Sequence, residues 1–214
     1  MHTSVCADQR RALEVSDIGN LLCETEKAAT CGSLPIELQT TKNIFALMFL
    51  LRGIPFVDLA YLRKADIQGN TLRYRRRKTG RLLTVMLTPD AMKLIRIVAK
   101  TKPESPYLFP FLSSPEGTEA AYHEYQSSLR VFNYRLSRLK KYIKTAAHLS
   151  SYTIRHTWAT MAYYCEIHPG IISEAMGHSS IKVTETYLKP FQNEKIDNAN
   201  SQVISYVKEY ASIV

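Results

Sequence analysis

The chain has 214 residues, 45% hydrophobic and 22% charged, which is enough to bury a core without disulfides or metals and excludes a fibrous or disordered class. Its longest apolar run, Ile44–Leu51, falls far short of the roughly 20 residues that cross a bilayer, and Arg10, Arg11, Glu14 and Asp17 leave no apolar signal-peptide core. The balance of 28 Lys+Arg against 19 Asp+Glu, net +9, points to a polyanionic partner.

In chain order, Ser16 reads as the cap of a helix over 17–26, and 30–39 reads as a loop. Residues 40–51 form a helix apolar nearly all round, hence central to the core, and Arg52-Gly53-Ile54-Pro55 breaks it. Pro55 at a first helical position restarts a short helix to Arg63. The period then changes: 66–67, 71–77 and 81–87, separated by turns at 68–70 and 78–80, read as an antiparallel meander. Thr88-Pro89 opens a helix to about Lys100, and Pro103, Pro106, Pro110 and Pro115 mark an irregular connection. Helices follow at about 118–144, 153–164, 169–176, 180–188 and 194–212. The fold class is α+β, mostly helical with a small three-stranded antiparallel sheet, and no boundary divides it. The four Cys form no Cys-x-x-Cys pair, which argues against a disulfide framework or a zinc site and for reduced thiols in the cytoplasm.

The positive charge is concentrated. Residues 73–81 hold six basic groups (Arg73, Arg75, Arg76, Arg77, Lys78, Arg81) and residues 130–144 six more (Arg130, Arg135, Arg138, Lys140, Lys141, Lys144), with no acid in either stretch. That pattern suits a docking surface. The densest chemistry lies between His148 and Tyr187. Arg155-His156 opens an otherwise apolar helix, and a buried cation costs several kcal/mol unless it meets an anion. Gly177-His178 ends one helix as another begins, where backbone N–H groups can face an anion. Taken singly, Arg155 also reads as a structural ion pair and His178 as a helix cap.

Together these residues resemble the catalytic domain of tyrosine recombinases, the phage and mobile-element integrases. The resemblance rests on Arg155-His156-Thr157 with Ala159-Thr160, on Gly177-His178-Ser179-Ser180, and on Thr186-Tyr187, with Tyr187 nine residues after His178 as in that family. Upstream, Phe49–Ile67 resembles the family's first motif and Arg77-Lys78-Thr79-Gly80 its hairpin lysine. The resemblance covers about residues 10–200 and implies a single catalytic domain, 1–214, without the N-terminal domain that clamps DNA from the other side. It implies double-stranded DNA as partner, self-association as a tetramer on paired sites, no membrane, and chemistry without cofactor or metal. Tyr187 would attack a phosphodiester, Arg155 clamp the phosphate, His178 hydrogen-bond it, and Lys78 protonate the leaving 5′-oxygen. Fixed cations suit a transition state whose charge gathers on the non-bridging oxygens.

Two positions depart from the family pattern. Its first arginine falls on Pro55, and either Arg52, about one helical turn back, or Arg76, two residues before Lys78 and so on the same strand face, could replace it. Three residues before Arg155 stands Tyr152 in place of histidine. Tyr152 can donate a hydrogen bond to phosphate but is a poor base. Arg73, Arg75, Arg77 and Arg81 on the meander, with Arg130, Arg138, Lys140 and Lys141 on a helix, would neutralise DNA phosphates. Helix 194–212 packs its Ile196, Val203, Ile204 and Val207 either on its own core or on a neighbouring protomer. Two alternatives stand beside a recombinase: a non-catalytic DNA-binding relative, suggested by Pro55 and Tyr152, and a helical module whose basic faces bind RNA or an acidic protein.

Overall fold

The computed structural model describes residues 12–22, 34–99, 103–143, 145–186 and 193–211. In chain order these give α1 (Val15–Leu22), α2 (Ile36–Leu50), α3 (Phe56–Ala60), a 3-10 turn (Lys64–Asp66), β1 (Ile67–Gln68), β2 (Thr71–Arg75), β3 (Leu82–Met86), α4 (Pro89–Val98), α5 (Glu119–Ile143), α6 (Thr153–Tyr164), α7 (Pro169–Met176), α8 (Ile181–Glu185) and α9 (Asn193–Ala211). The expected α+β architecture is therefore present, with α6 and α7 at the expected bounds.

Helix α2 is the hub. It buries Leu38, Thr41, Ile44, Phe45, Ala46, Leu47 and Met48 and packs against α1, α4, α5 and α6. It starts at Ile36, inside the expected loop: Pro35 takes the cap position, and the Thr40 and Thr41 hydroxyls donate to the Ile36 and Glu37 carbonyls one turn back. Helix α1 likewise begins before Ser16, at Val15.

The sheet is antiparallel in the order β1-β2-β3. Leu72 faces Val85 and Tyr74 faces Leu83 on its buried side, while Arg73 faces Thr84 and Arg75 faces Leu82 on its exposed side. The pleat thus separates apolar from basic residues. The short helix after Pro55 ends at Ala60, not Arg63, and the chain passes through the 3-10 turn into β1. Thr88 caps α4, its hydroxyl accepting from the Ala91 N–H.

The main core joins α1–α5, the sheet and the start of α6. A second apolar cluster of Ala159, Ala162, Ile172 and Met176 joins α6 to α7, with Trp158 and Val183 packed on it. Helix α6 straddles the two, contributing Ile154 to one and Ala159 to the other. In α9, Ile196, Val203, Ile204 and Val207 are exposed, so packing on the chain's own core is not what they do. A Lys195–Glu166 ion pair at 2.9 Å links the start of α9 to the segment after α6.

Candidate active site

Arg155 lies in the first turn of α6 and is only 2% exposed. Its Nη1 donates to the Gly53 carbonyl at 2.9 Å and its Nη2 to the Met176 carbonyl at 2.7 Å. One guanidinium therefore ties the α2–α3 turn to the end of α7. Gly53 permits the approach. Its φ is +66°, and a Cβ there would stand 3.0 Å from the Arg155 Cα.

Helix α7 opens with Pro169 and ends at Gly177, which is left-handed at φ +66°. The Gly177 N–H bonds back to the Glu174 carbonyl and the His178 N–H to the Ser173 carbonyl, each at 3.0 Å. These N–H groups close the helix. The Gly177 and His178 N–H groups are therefore not among those that can face an anion at this junction, because the cap consumes them. What this end offers is carbonyls, and three donors from two distant segments, α6 and the β2–β3 hairpin, meet them. Met176 receives Arg155, Gly177 receives the Thr79 hydroxyl at 3.0 Å, and His178 receives Arg81 Nη1 at 2.8 Å.

His178 is 4% exposed, with Nδ1 2.8 Å from the Thr184 Oγ1. Burial, then the charges of Arg155, Arg76 and Lys78, hold its pKa at about 4, so the imidazole is neutral at pH 7. With the Thr184 hydroxyl as donor, the ring proton sits on Nε2. Three cations separated in sequence thus act on one buried ring.

Arg76 is buried, its Nη1 2.8 Å from Asp58 Oδ2, while Asp58 Oδ1 accepts the Arg77 N–H at 3.0 Å. Asp58 comes from α3, and its burial raises the carboxyl pKa against the pull of Arg76. Arg52 is left-handed at φ 59° and directs Nη1 to the Thr84 carbonyl at 3.3 Å. Both guanidinium charges act on the buried Tyr74, whose phenol burial pushes up, but Arg76 is the one of the two among the charges on His178. The strand-face argument for Arg76 and Lys78 fails. Strand β2 ends at Arg75, Asp58 takes the Arg77 N–H, and the Gly80 N–H folds back on the Arg76 carbonyl at 2.7 Å. Arg76 turns inward and Lys78 is exposed at the tip.

Tyr152 occupies the cap position of α6, 51% exposed, edge-on to His156 at 4.9 Å. Tyr187 and Lys144 lie outside the described residues. On the hairpin, Arg73 and Arg75 occupy the outer face, Arg75 donating to the Gly80 carbonyl at 3.1 Å. Arg77 pairs with Glu116 and lies 3.8 Å over the Tyr61 ring, and Arg63 shares that carboxylate at 2.7 Å. On α5, Arg130 and Lys141 are exposed, Arg138 is 3.9 Å from Glu37, and Lys140 donates to the Ala146 carbonyl at 3.2 Å. Among the described residues there is no group of three His, Cys, Asp or Glu placed to hold a metal, and no helix long and apolar enough to cross a membrane. Sequence reasoning passed over Asp58, Thr79 and Thr184. The signal for Asp58 was an acid on a short apolar helix just after Pro55, and for Thr184 its place in the Thr-Glu-Thr-Tyr run.

Solved structures share this fold. XerA recombinase matches with a TM-score of 0.59 at 16% identity, over 89% of this chain and 64% of that one. The integrase of transposon Tn1549, in complex with circular intermediate DNA, matches with a TM-score of 0.60 at 15% identity, over 90% of this chain and 66% of that one. A lambda integrase dimer bound to a core site matches with a TM-score of 0.52 at 16% identity, over 87% of this chain and 60% of that one. The chain thus spans less than two-thirds of the length of each of these structures. No curated relative matches the sequence. The profile of the phage integrase family matches residues 20–194, most of the chain. This protein, with the mostly helical tyrosine-recombinase catalytic fold and its small antiparallel sheet, belongs to the phage integrase family.

Proposed function

We propose that this chain is the catalytic domain of a site-specific DNA recombinase, cleaving and rejoining duplex DNA without a metal through a 3′-phosphotyrosyl intermediate. The observation that carries this reading is that Arg155 and the hairpin bearing Arg76 and Lys78 are anchored on one turn with the buried His178, Arg155 on the Met176 carbonyl, Thr79 on Gly177 and Arg81 on His178. Such a set can hold a phosphodiester whose charge grows in the transition state. Arg155 is stapled by carbonyls from two elements, so it meets the phosphate with no reorganisation. His178 donates from Nε2 to a non-bridging oxygen. Tyr187 releases its proton to solvent as its oxygen bonds to phosphorus, the P–O5′ bond breaks, and Lys78 gives a proton to O5′. A 5′-hydroxyl of a second strand reverses the step.

Arg76 fills the place left by Pro55. Its charge reaches His178, whereas the Arg52 guanidinium is directed to the Thr84 carbonyl. Arg73 and Arg75 with the α5 residues Arg130, Arg138, Lys140 and Lys141 supply phosphate contacts along the duplex. The exposed apolar residues of α9 dock on a neighbouring protomer, in a tetramer on paired sites.

A nicked suicide duplex tests the reading. Wild-type protein forms a covalent adduct in EDTA, Tyr187→Phe abolishes it, and Arg76→Ala lowers it more than Arg52→Ala. DNA binding with no adduct favours a non-cleaving relative, the reading that Pro55 and the half-exposed Tyr152 support. Absence of duplex binding at low salt favours the helical interaction module.

A further inference from the structure

We propose that Thr79 and Arg81 are positioning residues that latch the hairpin tip onto the Gly177–His178 turn and so hold Lys78 beside the phosphate site before DNA arrives. The inference rests on the recombinase reading for what Lys78 does, but the latch itself stands on geometry. The Thr79 hydroxyl donates to the Gly177 carbonyl at 3.0 Å and Arg81 Nη1 to the His178 carbonyl at 2.8 Å. Two residues further on, Leu83 packs so closely on Gly177 that a Cβ there would stand 3.0 Å from Leu83 Cδ1. Thr79 in the turn, Arg81 just before β3 and Leu83 inside it all reach the same Gly177–His178 turn, so a short stretch of the hairpin carries all three contacts.

The latch also explains a cost that α7 would otherwise bear. Its last turn contains no basic residue, and its cap leaves the Met176, Gly177 and His178 carbonyls pointing outward. Arg155 satisfies the first, Thr79 the second and Arg81 the third. Two cations therefore stand at the negative end of the helix, where charge and hydrogen bonding act together. Because Arg155 and Arg81 hold neighbouring carbonyls, the phosphate clamp and the lysine hairpin share one anchor. Between Thr79 and the Arg76–Asp58 pair, Lys78 is fixed from both sides of the turn. Arg81 thus works through the fold, unlike the outward Arg73.

The experiment uses the full chain with Thr79→Val, Arg81→Leu and Lys78→Ala on two nicked duplexes. One carries an ordinary scissile phosphate. The other carries a 5′-bridging phosphorothiolate, whose thiolate leaves without needing a proton. A misplaced general acid slows the oxygen substrate only. Thr79→Val and Arg81→Leu are expected to lose about 10–100-fold on the ordinary duplex and to come within about threefold of wild type on the phosphorothiolate, as Lys78→Ala does with a larger first loss of about 10²–10⁴-fold. Equal losses on both duplexes would mean a general structural or DNA-binding role and overturn the proposal, as would no loss on the ordinary duplex. Hydrogen exchange gives a second, cleavage-free readout. In Arg81→Leu, peptides covering 76–83 and 174–180 should both exchange faster than in wild type while the α2 peptides stay unchanged. Wild-type exchange in those two peptides would overturn the latch even if no form of the protein cleaves DNA. A wild-type chain that binds both duplexes and cleaves neither would count against the recombinase reading alone.

Discussion

The two basic segments carry the same charge in sequence and are used in opposite ways. In 73–81, Arg76 pairs with Asp58, Arg77 with Glu116 and the Tyr61 ring, and Arg81 with the His178 carbonyl. In 130–143, the cations line an exposed helix, and the ionic partner found there is Glu37, 3.9 Å from Arg138. A stretch without acids in sequence is not without acids in space, because Asp58 and Glu116 arrive from other elements. Charge tied down in this way builds a site, while charge left on a helix face provides a surface for a polyanion.

Removing the acid that holds the first segment is expected to have the largest effect. Asp58→Ala leaves the Arg76 guanidinium buried beside an empty place and should cost about 3–5 kcal/mol in urea unfolding. Replacing both partners with apolar residues, Asp58→Leu with Arg76→Met, should recover part of that stability, since the Arg77 N–H still loses its acceptor, while cleavage stays low. If the double variant cleaves DNA like wild type, Arg76 has no place in the chemistry.

Protonation offers the next largest contrast. Burial and three cations hold His178 at about 4 in the folded chain, against 6.5 for an ordinary histidine. The unfolded chain therefore binds a proton below pH 6.5 that the folded chain refuses until about pH 4. Stability is complete above 6.5, falls by about 3 kcal/mol as pH drops through that window, and then levels off for this group. Melting His178→Gln alongside wild type at pH 7 and pH 4.5 isolates the effect, because the variant should lose less on acidification. Glu124 does not intrude on the comparison. Hydrogen bonds from Ser113 and Ser114 hold its carboxyl at about 2, so its own contribution is lost chiefly at lower pH. A phosphate seated at the site would raise the His178 pKa, and the pH profile of cleavage should shift accordingly.

Periodicity and caps made most of the fold legible. Helix α7 has the expected limits because Pro169 and Gly177 punctuate it unambiguously. The start of α2 was hidden because Leu34-Pro35 looks like loop, although Pro at a helix start is equally natural. In the site, Arg155, His178 and Lys78 could be singled out by motif, and the charges of Arg155 and Lys78 both act on the His178 ring. The surrounding partners could not be singled out, since Asp58, Thr79 and Thr184 are ordinary residues whose roles arise only when α3 meets the hairpin and the hairpin tip and α8 meet the end of α7. Nor does sequence separate Arg77 from Arg81, because a guanidinium bound to a carboxylate and one bound to a carbonyl are spelled alike.

Two glycines at opposite ends of the latch sharpen the contrast at smaller scale. Gly177 and Gly80 are both left-handed, at φ +66° and +69°, so alanine is strained at either. At Gly80 the added methyl meets nothing within 4 Å, and the cost should stay near the backbone penalty, about 1 kcal/mol. At Gly177 it meets the end of the Leu83 side chain at 3.0 Å, so that side chain must give way by a few tenths of an ångström. Gly177→Ala should cost about 1–2 kcal/mol and slow cleavage further than stability alone explains. Equal effects at the two positions would remove the close packing of hairpin on turn from the account.

The smallest effect on the fold is expected where the second segment meets solvent. Lys141 is exposed on α5, and Lys140 reaches only a neighbouring carbonyl, so the double change to Ala should move stability by less than about 0.5 kcal/mol. Its signature belongs to DNA binding. If both lysines neutralise phosphates, the slope of log affinity against log salt should flatten by about 0.9 for each, with equal loss on any duplex sequence. Arg76→Ala and Arg81→Leu should leave that slope nearly unchanged, because their guanidinium groups already have partners inside the protein. A salt slope that moves as much for Arg81 as for Lys141 would erase the division between the two segments. A slope that moves for neither lysine would mean that the duplex lies on the hairpin side alone, against Arg73 and Arg75.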